Sequence, residues 1–520
     1  MAERRHKRRE TKRKEAKRRR YPDDLYRNYY VDIPSIKGVN QTLAPNLIPD
    51  DECQEIWNYL PTAKGTIRKI KSAKILVDTG SKSPIKIIIH PLNGTYQGLV
   101  FYEDGSVDKW DGSSLTEVAS AGTLSGDVES IDFCVWQNDY IYVIDSTGYY
   151  KWDGSSFTNV STSIKGHCIT VWQGRVFVGN GSQVSYSVAL DPEDFAGEGS
   201  GYFDLAESFP DLKLKVKKIV PYIDSLAIYG DSAIMALTGS TISNDPSTWC
   251  LTEASNTIGI EKANTVVNYG NEIWLQNEKG LYRTTMSSQQ KFDYKVNIQT
   301  NVQILNYQAT IVPINNLLHY LIPASMKSPF RGNSDNILAF CIDTAEFFFL
   351  DIGANVRGLY WSYVEGVENR VYVLLGNAIG ALFEGEDKIS SYIKTKQFDL
   401  GKASLEKLWW FMMFPINILE GYLSLRVKVT TEKTIKEAST DFLMNTRYMF
   451  QNYNEDGDKI AFTNGTFVWG FYNQFVNTIR PIFHLGATGV WGTFEIIENS
   501  NAVFEIADLH IRTQLGKDVF

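Results

Sequence analysis

A chain of 520 residues exceeds what one small core organises, so two or three domains is the starting expectation. With 43% hydrophobic and 13% aromatic residues it holds ample material for a core, which excludes global disorder. The formal charge of −8 is unevenly spread: residues 1–20 carry twelve basic side chains against Glu3, Glu10 and Glu15, a net of +9 that leaves −17 for the remainder.

The basic block consists of Arg4, Arg5, Lys7, Arg8, Arg9, Lys12, Arg13, Lys14, Lys17, Arg18, Arg19 and Arg20. Such density repels itself and is relieved on an anionic surface, so residues 1–20 read as an arm for nucleic acid or an acidic neighbouring subunit, the alternative being a solvated tail that aids solubility. Without Gly or Pro, the arm is free to become helical on contact. No apolar segment follows it, so it is not a secretory signal. The longest apolar run, residues 408–416, contains Pro415 and is far below the ~20 residues of a spanning helix. A soluble chain is expected.

Residues 21–34 are aromatic and extended, and Tyr29-Tyr30-Val31-Asp32-Ile33 reads as one strand. Pro49-Asp50-Asp51-Glu52 then precedes Cys53, Ile56, Trp57 and Leu60, an acidic first turn with apolar residues at helical spacing. This predicts one short helix within the extended segment 21–66.

From residue 67 to 395 the pattern is strand, turn, strand, and one phrase is written twice. Phe101-Tyr102-Glu103-Asp104-Gly105 leads to Lys109-Trp110-Asp111-Gly112-Ser113-Ser114, and Val143-Ile144-Asp145-Ser146-Thr147-Gly148 leads to Lys151-Trp152-Asp153-Gly154-Ser155-Ser156. Trp110 and Trp152 stand 42 positions apart, close to the ~40–45 residues of a four-stranded propeller blade. Each copy reads as a hairpin ending in Trp and an Asp-Gly turn, and such a hairpin needs stacked neighbours to bury both faces. Comparable apolar runs follow, among them 174–179, 224–229, 272–275, 346–350 and 370–375. The expectation is an all-β protein whose residues 67–395 form a β-propeller of about seven blades, with six or eight also compatible with the spacing. After Gln397-Phe398-Asp399-Leu400-Gly401 the style changes. Leu423, Leu425, Val427 and Val429 alternate with polar residues, and further strands are expected at 478–484, 492–497 and 504–511. Residues 396–520 therefore read as a separate antiparallel β domain.

Signs of chemistry are sparse. Gly197, Gly199 and Gly201 lack the spacing and the helix of a phosphate loop. Asn452-Tyr453-Asn454-Glu455-Asp456-Gly457 imitates half a calcium loop, but Thr463 stands where the closing carboxylate belongs, so a solvated turn is the better reading. The histidines fall singly, and His167 beside Cys168 reads as a structural pair. Cys53, Cys134, Cys168, Cys250 and Cys341 are too dispersed for a metal knuckle or disulfide framework and read as buried reduced thiols. Asp104, Asp108 and Asp145 beside turn glycines are loosely similar to the aspartate turns of sialidase propellers, though such residues usually just form turns. No catalytic, cofactor or metal residues are assigned.

Three stretches carry a resemblance: Ser182-Gln183-Val184-Ser185-Tyr186-Ser187 with Asp191-Pro192-Glu193-Asp194-Phe195, then Ala233-Ile234-Met235-Ala236-Leu237-Thr238-Gly239-Ser240 through Ile258-Gly259-Ile260 to residues 274–282, and Phe398-Asp399-Leu400-Gly401 with Lys407-Leu408 and the closing strand 504–511. In order, these are similar to the tail hub or nozzle proteins of short-tailed bacteriophages, also called packaged-DNA stabilisation proteins. The basic arm has no counterpart in that family. The resemblance implies a virion tail protein, assembled in the host bacterial cytoplasm. It would form a ring, usually of six subunits, below the portal and adaptor, in contact with tail fibre or tail-tip proteins. Such a ring retains double-stranded DNA until ejection and has no enzymatic activity. The alternatives are a host-receptor-binding propeller of adhesin or lectin type and a propeller-fold glycoside-active enzyme.

Overall fold

The computed structural model describes residues 28–443 and 478–518, apart from 93, 213, 240–244, 286–287, 365–367 and 403. The basic arm and the turn at 452–457 lie outside the described residues. Among those described, the regular structure is antiparallel β, with helix only at Leu205–Ser208 and in the 3-10 turns Pro246–Thr248 and Ala263–Thr265. The described residues divide into two compact units, one within Lys71–Asp387 and the other made of those up to Ile70 together with those from Lys388 onward.

Among the described residues, the strands of Lys71–Asp387 follow one another as six four-stranded antiparallel sheets and, sixth in chain order, the antiparallel run Thr310–Ile314, Leu317–Ser328, Gly332–Cys341 and Glu346–Leu350, counted below as the sixth sheet. The first comprises Pro84–Leu92, Thr95–Tyr102, Val107–Trp110 and Leu115–Ala119, and the second Asp132–Trp136, Tyr140–Asp145, Gly148–Trp152 and Phe157–Ser161. The third to fifth begin with Cys168–Trp172, Val216–Tyr222 and Val267–Tyr269, and in the sixth both Val302–Ile304 and Thr310–Ile314 pair with Leu317–Ser328. The seventh, Gly358–Val364, Glu368–Leu374 and Ala378–Ala381, takes its fourth strand from the start of the unit: Lys74–Asp78 pairs with Ala378–Ala381.

Stacking explains why these strands are apolar on both faces rather than alternating. Leu99 and Phe101 of the first sheet cluster with Ile141, Val143 and Trp152 of the second. Tyr142 and Ile144, on the second sheet's other face, cluster with Val176 and Val178 of the third. Val100, Tyr102 and Trp110 of the first sheet pack with Tyr372, Leu374 and Ile379 of the seventh. Successive four-stranded meanders stacked face to face are a propeller-like arrangement.

The duplicated phrase occupies matching places. Trp110 and Trp152 each end the third strand of their sheets, pair with Gly98 and Ile141, and are fully buried. Asp111 Oδ1 accepts from the Ser113 and Ser114 amides at 2.9 and 2.7 Å, and Asp153 Oδ1 from those of Ser155 and Ser156 at 2.8 and 2.7 Å. Gly112 and Gly154 turn the chain at φ 96° and 95°, a backbone region that disfavours other residues.

The second unit is made from both ends of the chain. Asn28–Ile33 pairs with Leu509–Asp518, which pairs with Leu405–Met413 and that with Ile482–Gly489. A second sheet orders Cys53–Trp57, Ser391–Phe398, Gly492–Glu498, Tyr422–Thr430 and Ile435–Leu443. Trp409 of the first sheet meets Phe494 of the second edge-on, with ring centroids 5.7 Å apart. Tyr59–Pro61, Ile67–Lys69, Val503–Ile506, Ile416–Glu420 and Thr478–Ile479 form a third.

Several sequence expectations are corrected here. No helix forms within residues 49–60: Glu52 N closes a turn on the Pro49 carbonyl, and Cys53–Trp57 and Tyr59–Pro61 are strands separated by Asn58 at φ 65°. Cys53, Ile56, Trp57 and Leu60 are all buried, and a strand covered on both faces with one break yields the same apolar spacing as a helix turn. Ladder bonds to Ser391–Phe398, distant in sequence, decide between the two. Segment 21–66 and domain 396–520 are accordingly not separate, because described strands from both pair within one unit. The strands expected at 478–484 and 504–511 are each broken in two, and Cys250 is exposed while Cys134 is half-buried.

Two outcomes test this packing. Trp110→Ala and Trp152→Ala are each expected to cost about 3–5 kcal/mol in urea denaturation, as large-to-small changes at fully buried sites do; neutral substitutions would show the stacking to be wrong. His319, on Leu317–Ser328 of the sixth sheet, is fully buried, its Nδ1 within 3.0 Å of the Leu317 carbonyl and its Nε2 without a partner. Burial pushes its pKa down to about 4, against small opposing effects of the Leu317 carbonyl and Asp343. The unfolded chain then binds the extra proton between its ordinary pKa of about 6.5 and about 4. Stability contributed by neutral His319 is therefore complete above that window and falls with pH through it, by at most ~1.4 kcal/mol per unit. His319→Gln should flatten this part of the stability–pH curve.

Candidate functional site

In Lys71–Asp387 the first strands of the sheets bring polar side chains to one cavity of about 260 Å³. Lys86 comes from the first sheet, Asp132 and Phe133 from the second, Lys218 from the fourth, Asn268 from the fifth, Thr310 from the sixth and Trp361 from the seventh. Lys86 and Lys218 each follow a register shift, after Pro84 and Val216 respectively. Bulges of this kind re-aim a side chain, which accounts for charged residues in otherwise apolar strands.

Asp132 is the hub. Its Oδ1 and Oδ2 each lie 2.7 Å from Lys218 Nζ, and Oδ2 also accepts from the Ile169 amide of the third sheet at 3.1 Å. Lys86, only 4% exposed, donates from Nζ to the Ile131 carbonyl. The walls are fixed by amide side chains: Gln308 joins the Ile87 amide and carbonyl at 3.3 and 3.2 Å, and Asn264 donates to the Val128 and Asn306 carbonyls. Tyr360 donates its hydroxyl to the Ile89 carbonyl at 3.0 Å.

Burial brings the Lys86 ammonium down to about 8; Asp132 and Asp127 oppose the shift, and Lys218 adds to it. The neighbouring Cys168 thiol is pushed up to about 12 by burial and stays neutral. Lys218 is paired with Asp132, whereas among the described residues Lys86 has no ion-pair partner, so the cavity lining itself carries two ammonium groups and one carboxylate when Lys86 is protonated.

The residues singled out by the repeat lie elsewhere. Asp111-Gly112 and Asp153-Gly154 form turns between third and fourth strands, away from the first strands that line the cavity. The hydroxyl and amide donors of the following serines hold the Asp111 carboxyl well below the usual range, and at Asp153 burial pushes the carboxyl up but the donors of Ser155 and Ser156 together outweigh it and hold it equally low. Asp104 accepts from Ser106, Asp108 from Tyr102 and Lys82, and Asp145 from Ser125 and Thr147, so each of these carboxylates is engaged by neighbouring donors. In the Gly197 loop, Asp194 accepts the Ala196 and Gly197 amides, and Arg175 donates to the Gly199 carbonyl at 2.6 Å. His167 Nε2 lies 2.6 Å from the Val216 carbonyl. Among the described residues no group of three or more His, Cys, Asp or Glu is placed to hold a metal ion.

Sequence reasoning missed Lys86, Asp132 and Lys218. One signal was present: Ile85-Lys86-Ile87-Ile88-Ile89 sets a single charge inside an apolar strand. A buried charge of that kind needs a partner, but nothing in the spacing of residues 86, 132 and 218 shows that they meet.

No protein-family model matches the chain, and no curated protein matches it. Similar solved structures include the extracellular domain of a hybrid two-component system from B. thetaiotaomicron, at 10% identity and a TM-score of 0.44, covering 62% of this chain and 40% of that one. The Pan2 WD40 domain of Neurospora crassa matches at 7% identity and 0.40, covering 61% and 98% of the two chains. BamB from Moraxella catarrhalis matches at 10% and 0.34, covering 68% and 99%. At such identities and scores these likenesses carry no argument about activity or partners.

The ion pair makes a checkable prediction. Lys218→Met leaves Asp132 buried without its partner and should destabilise the protein by about 3 kcal/mol. Adding Asp132→Asn to it should recover most of that loss, measured by chemical denaturation of the wild type, both single variants and the double variant.

Proposed function

We propose that this chain is a structural subunit of the tail of a short-tailed bacteriophage, a hub or nozzle protein that extends the DNA channel below the portal and adaptor and retains packaged DNA until ejection. In this reading Lys71–Asp387 is a closed seven-bladed propeller, supported by the pairing of Lys74–Asp78 with the last sheet and the packing of that sheet on the first. The protein works as one of about six copies in a ring, touching portal or adaptor proteins above and fibre or tail-tip proteins below, and catalyses no reaction.

The observation that carries the reading is a face of the unit built from both chain ends. Asn28–Ile33, which follows the basic arm in sequence, is an edge strand of its sheet. On that sheet Tyr30, Trp410 and Ile482 are 58%, 38% and 51% exposed. The Arg512 guanidinium lies over the Trp410 and Tyr30 rings, 4.9 and 5.7 Å from their centroids. Open backbone groups beside exposed aromatics and Arg are what subunit interfaces use. A cyclic assembly needs such a surface on each copy, meeting a different surface on the next. The charge balance supports the same role: with −17 outside the arm, a ring of copies repels a sliding polyanion rather than gripping it.

Reconstitution tests this. Purified full-length chain mixed with portal–adaptor necks should form a ring visible by electron microscopy, and Trp410→Glu should weaken it at least tenfold without unfolding the protein. Deleting residues 1–20 should reduce neck binding, with a salt dependence shallower than that of the full chain. Labelled chain found at fibre tips, or sugar binding by the isolated protein with no affinity for necks, would instead assign it to host recognition.

A further inference from the structure

From the geometry of the Lys86 cluster we propose that the cavity in Lys71–Asp387 is a binding site for a small oxyanion, whose carboxylate or phosphate oxygens accept from Lys86 Nζ. An ammonium has three N–H donors, and the Ile131 carbonyl takes one of those on Lys86. The nearby negative charges are already engaged. Asp132 is held by both oxygens on Lys218 and by the Ile169 amide, and Asp127 accepts from the Glu129 amide at 2.9 Å and the Ser130 hydroxyl at 3.0 Å. Cys168 is neutral and contributes no countercharge. The side of Lys86 that faces the cavity is therefore where a negative group is lacking, and at 4% exposure bulk water compensates it poorly.

The remaining walls set the ligand's size and rigidity. Gln308 and Asn264 are tied to backbone groups of neighbouring segments, so the cavity is preformed and binding pays little for ordering its walls. Phe133, Val267 and Trp361 supply apolar surface beside the charged end. A volume of about 260 Å³ suits a ligand no larger than a small aromatic carboxylate.

The test uses the purified full chain titrated by calorimetry at pH 6, where Lys86 keeps its proton without help from Asp132, with acetate, benzoate and inorganic phosphate separately. At least one should bind saturably and raise the melting temperature. Lys86→Met, close in volume and uncharged, should weaken that binding at least tenfold. Asp132→Asn removes the only carboxylate among the described residues that line the cavity while keeping an acceptor for the Ile169 amide, and should tighten it severalfold, a gain that misfolding cannot produce. Affinity should also fall as the pH rises past about 8, where Lys86 loses its proton in a field set by Asp132, Asp127 and Lys218. Saturable binding of phosphate alone would assign the site to a phosphate group, and of benzoate or acetate alone to a carboxylate. Absence of saturable binding by all three, or affinities unchanged in Lys86→Met and Asp132→Asn, would overturn the proposal.

Discussion

The pairing of Lys74–Asp78 with Ala378–Ala381 is the constraint on which the larger unit depends. It joins strands some three hundred positions apart, Val77 beside Ile379 and Asp78 beside Ala378, and gives the last sheet its fourth strand. Close approach is required where the two ends meet: the Gly385 amide donates to the Ser72 carbonyl at 2.9 Å, and a Cβ on Gly385 would come within 2.7 Å of the Ala73 carbonyl oxygen. The entropy of closing so long a loop grows only logarithmically with length, so a short ladder together with the packing of the seventh sheet on the first is enough to offset it. Without that strand, Ala378–Ala381 would be an open edge, the usual starting point for association with another chain.

The second unit solves the same problem with charge inside its core. Lys69 and Glu498, both almost wholly buried, lie 2.5 Å apart, and Glu498 also accepts from the Ser500 amide and the Ser391 hydroxyl. Lys69 donates in addition to the Ser500 carbonyl at 2.7 Å. Burial lowers the Lys69 pKa while Glu498 raises it, so the ammonium depends on this one carboxylate. Such a pair contributes little net stability, but any register that separates its members strands a charge in the core. Together with the Arg68–Glu505 pair it therefore favours the alignment that sets Ile67 beside Ile506 and Arg68 beside Glu505.

Charge acts on two scales in this molecule. Over the whole chain the imbalance is large, +9 on the arm against −17 elsewhere, and bears on what the proposed ring attracts and repels. Within the cavity lining it is one unit, yet burial makes that unit count, because the charge of Lys86, only 4% exposed, is far less screened there than at the surface. The proposed ring rests on the outer face with Tyr30 and Trp410 and not on the cavity, so the two proposals stand or fall separately.

The sequence by itself determined that the chain is all-β, that its middle is a series of short stacked meanders, and that Trp110 and Trp152 open matching Asp-Gly turns. All of these are local: alternation, turn chemistry and a phrase repeated 42 positions on are written in neighbouring residues. Only the tertiary structure decided that residues 53–61 are strands, that the two chain ends share one unit, that Lys74–Asp78 completes the seventh sheet, and that Lys86, Asp132 and Lys218 meet. The physical reason is common to all four. Each depends on hydrogen bonds or charges supplied by segments far away in the chain, and a buried strand, a helix turn and a lone charge in an apolar run look alike until the partner that satisfies their polar groups is in place.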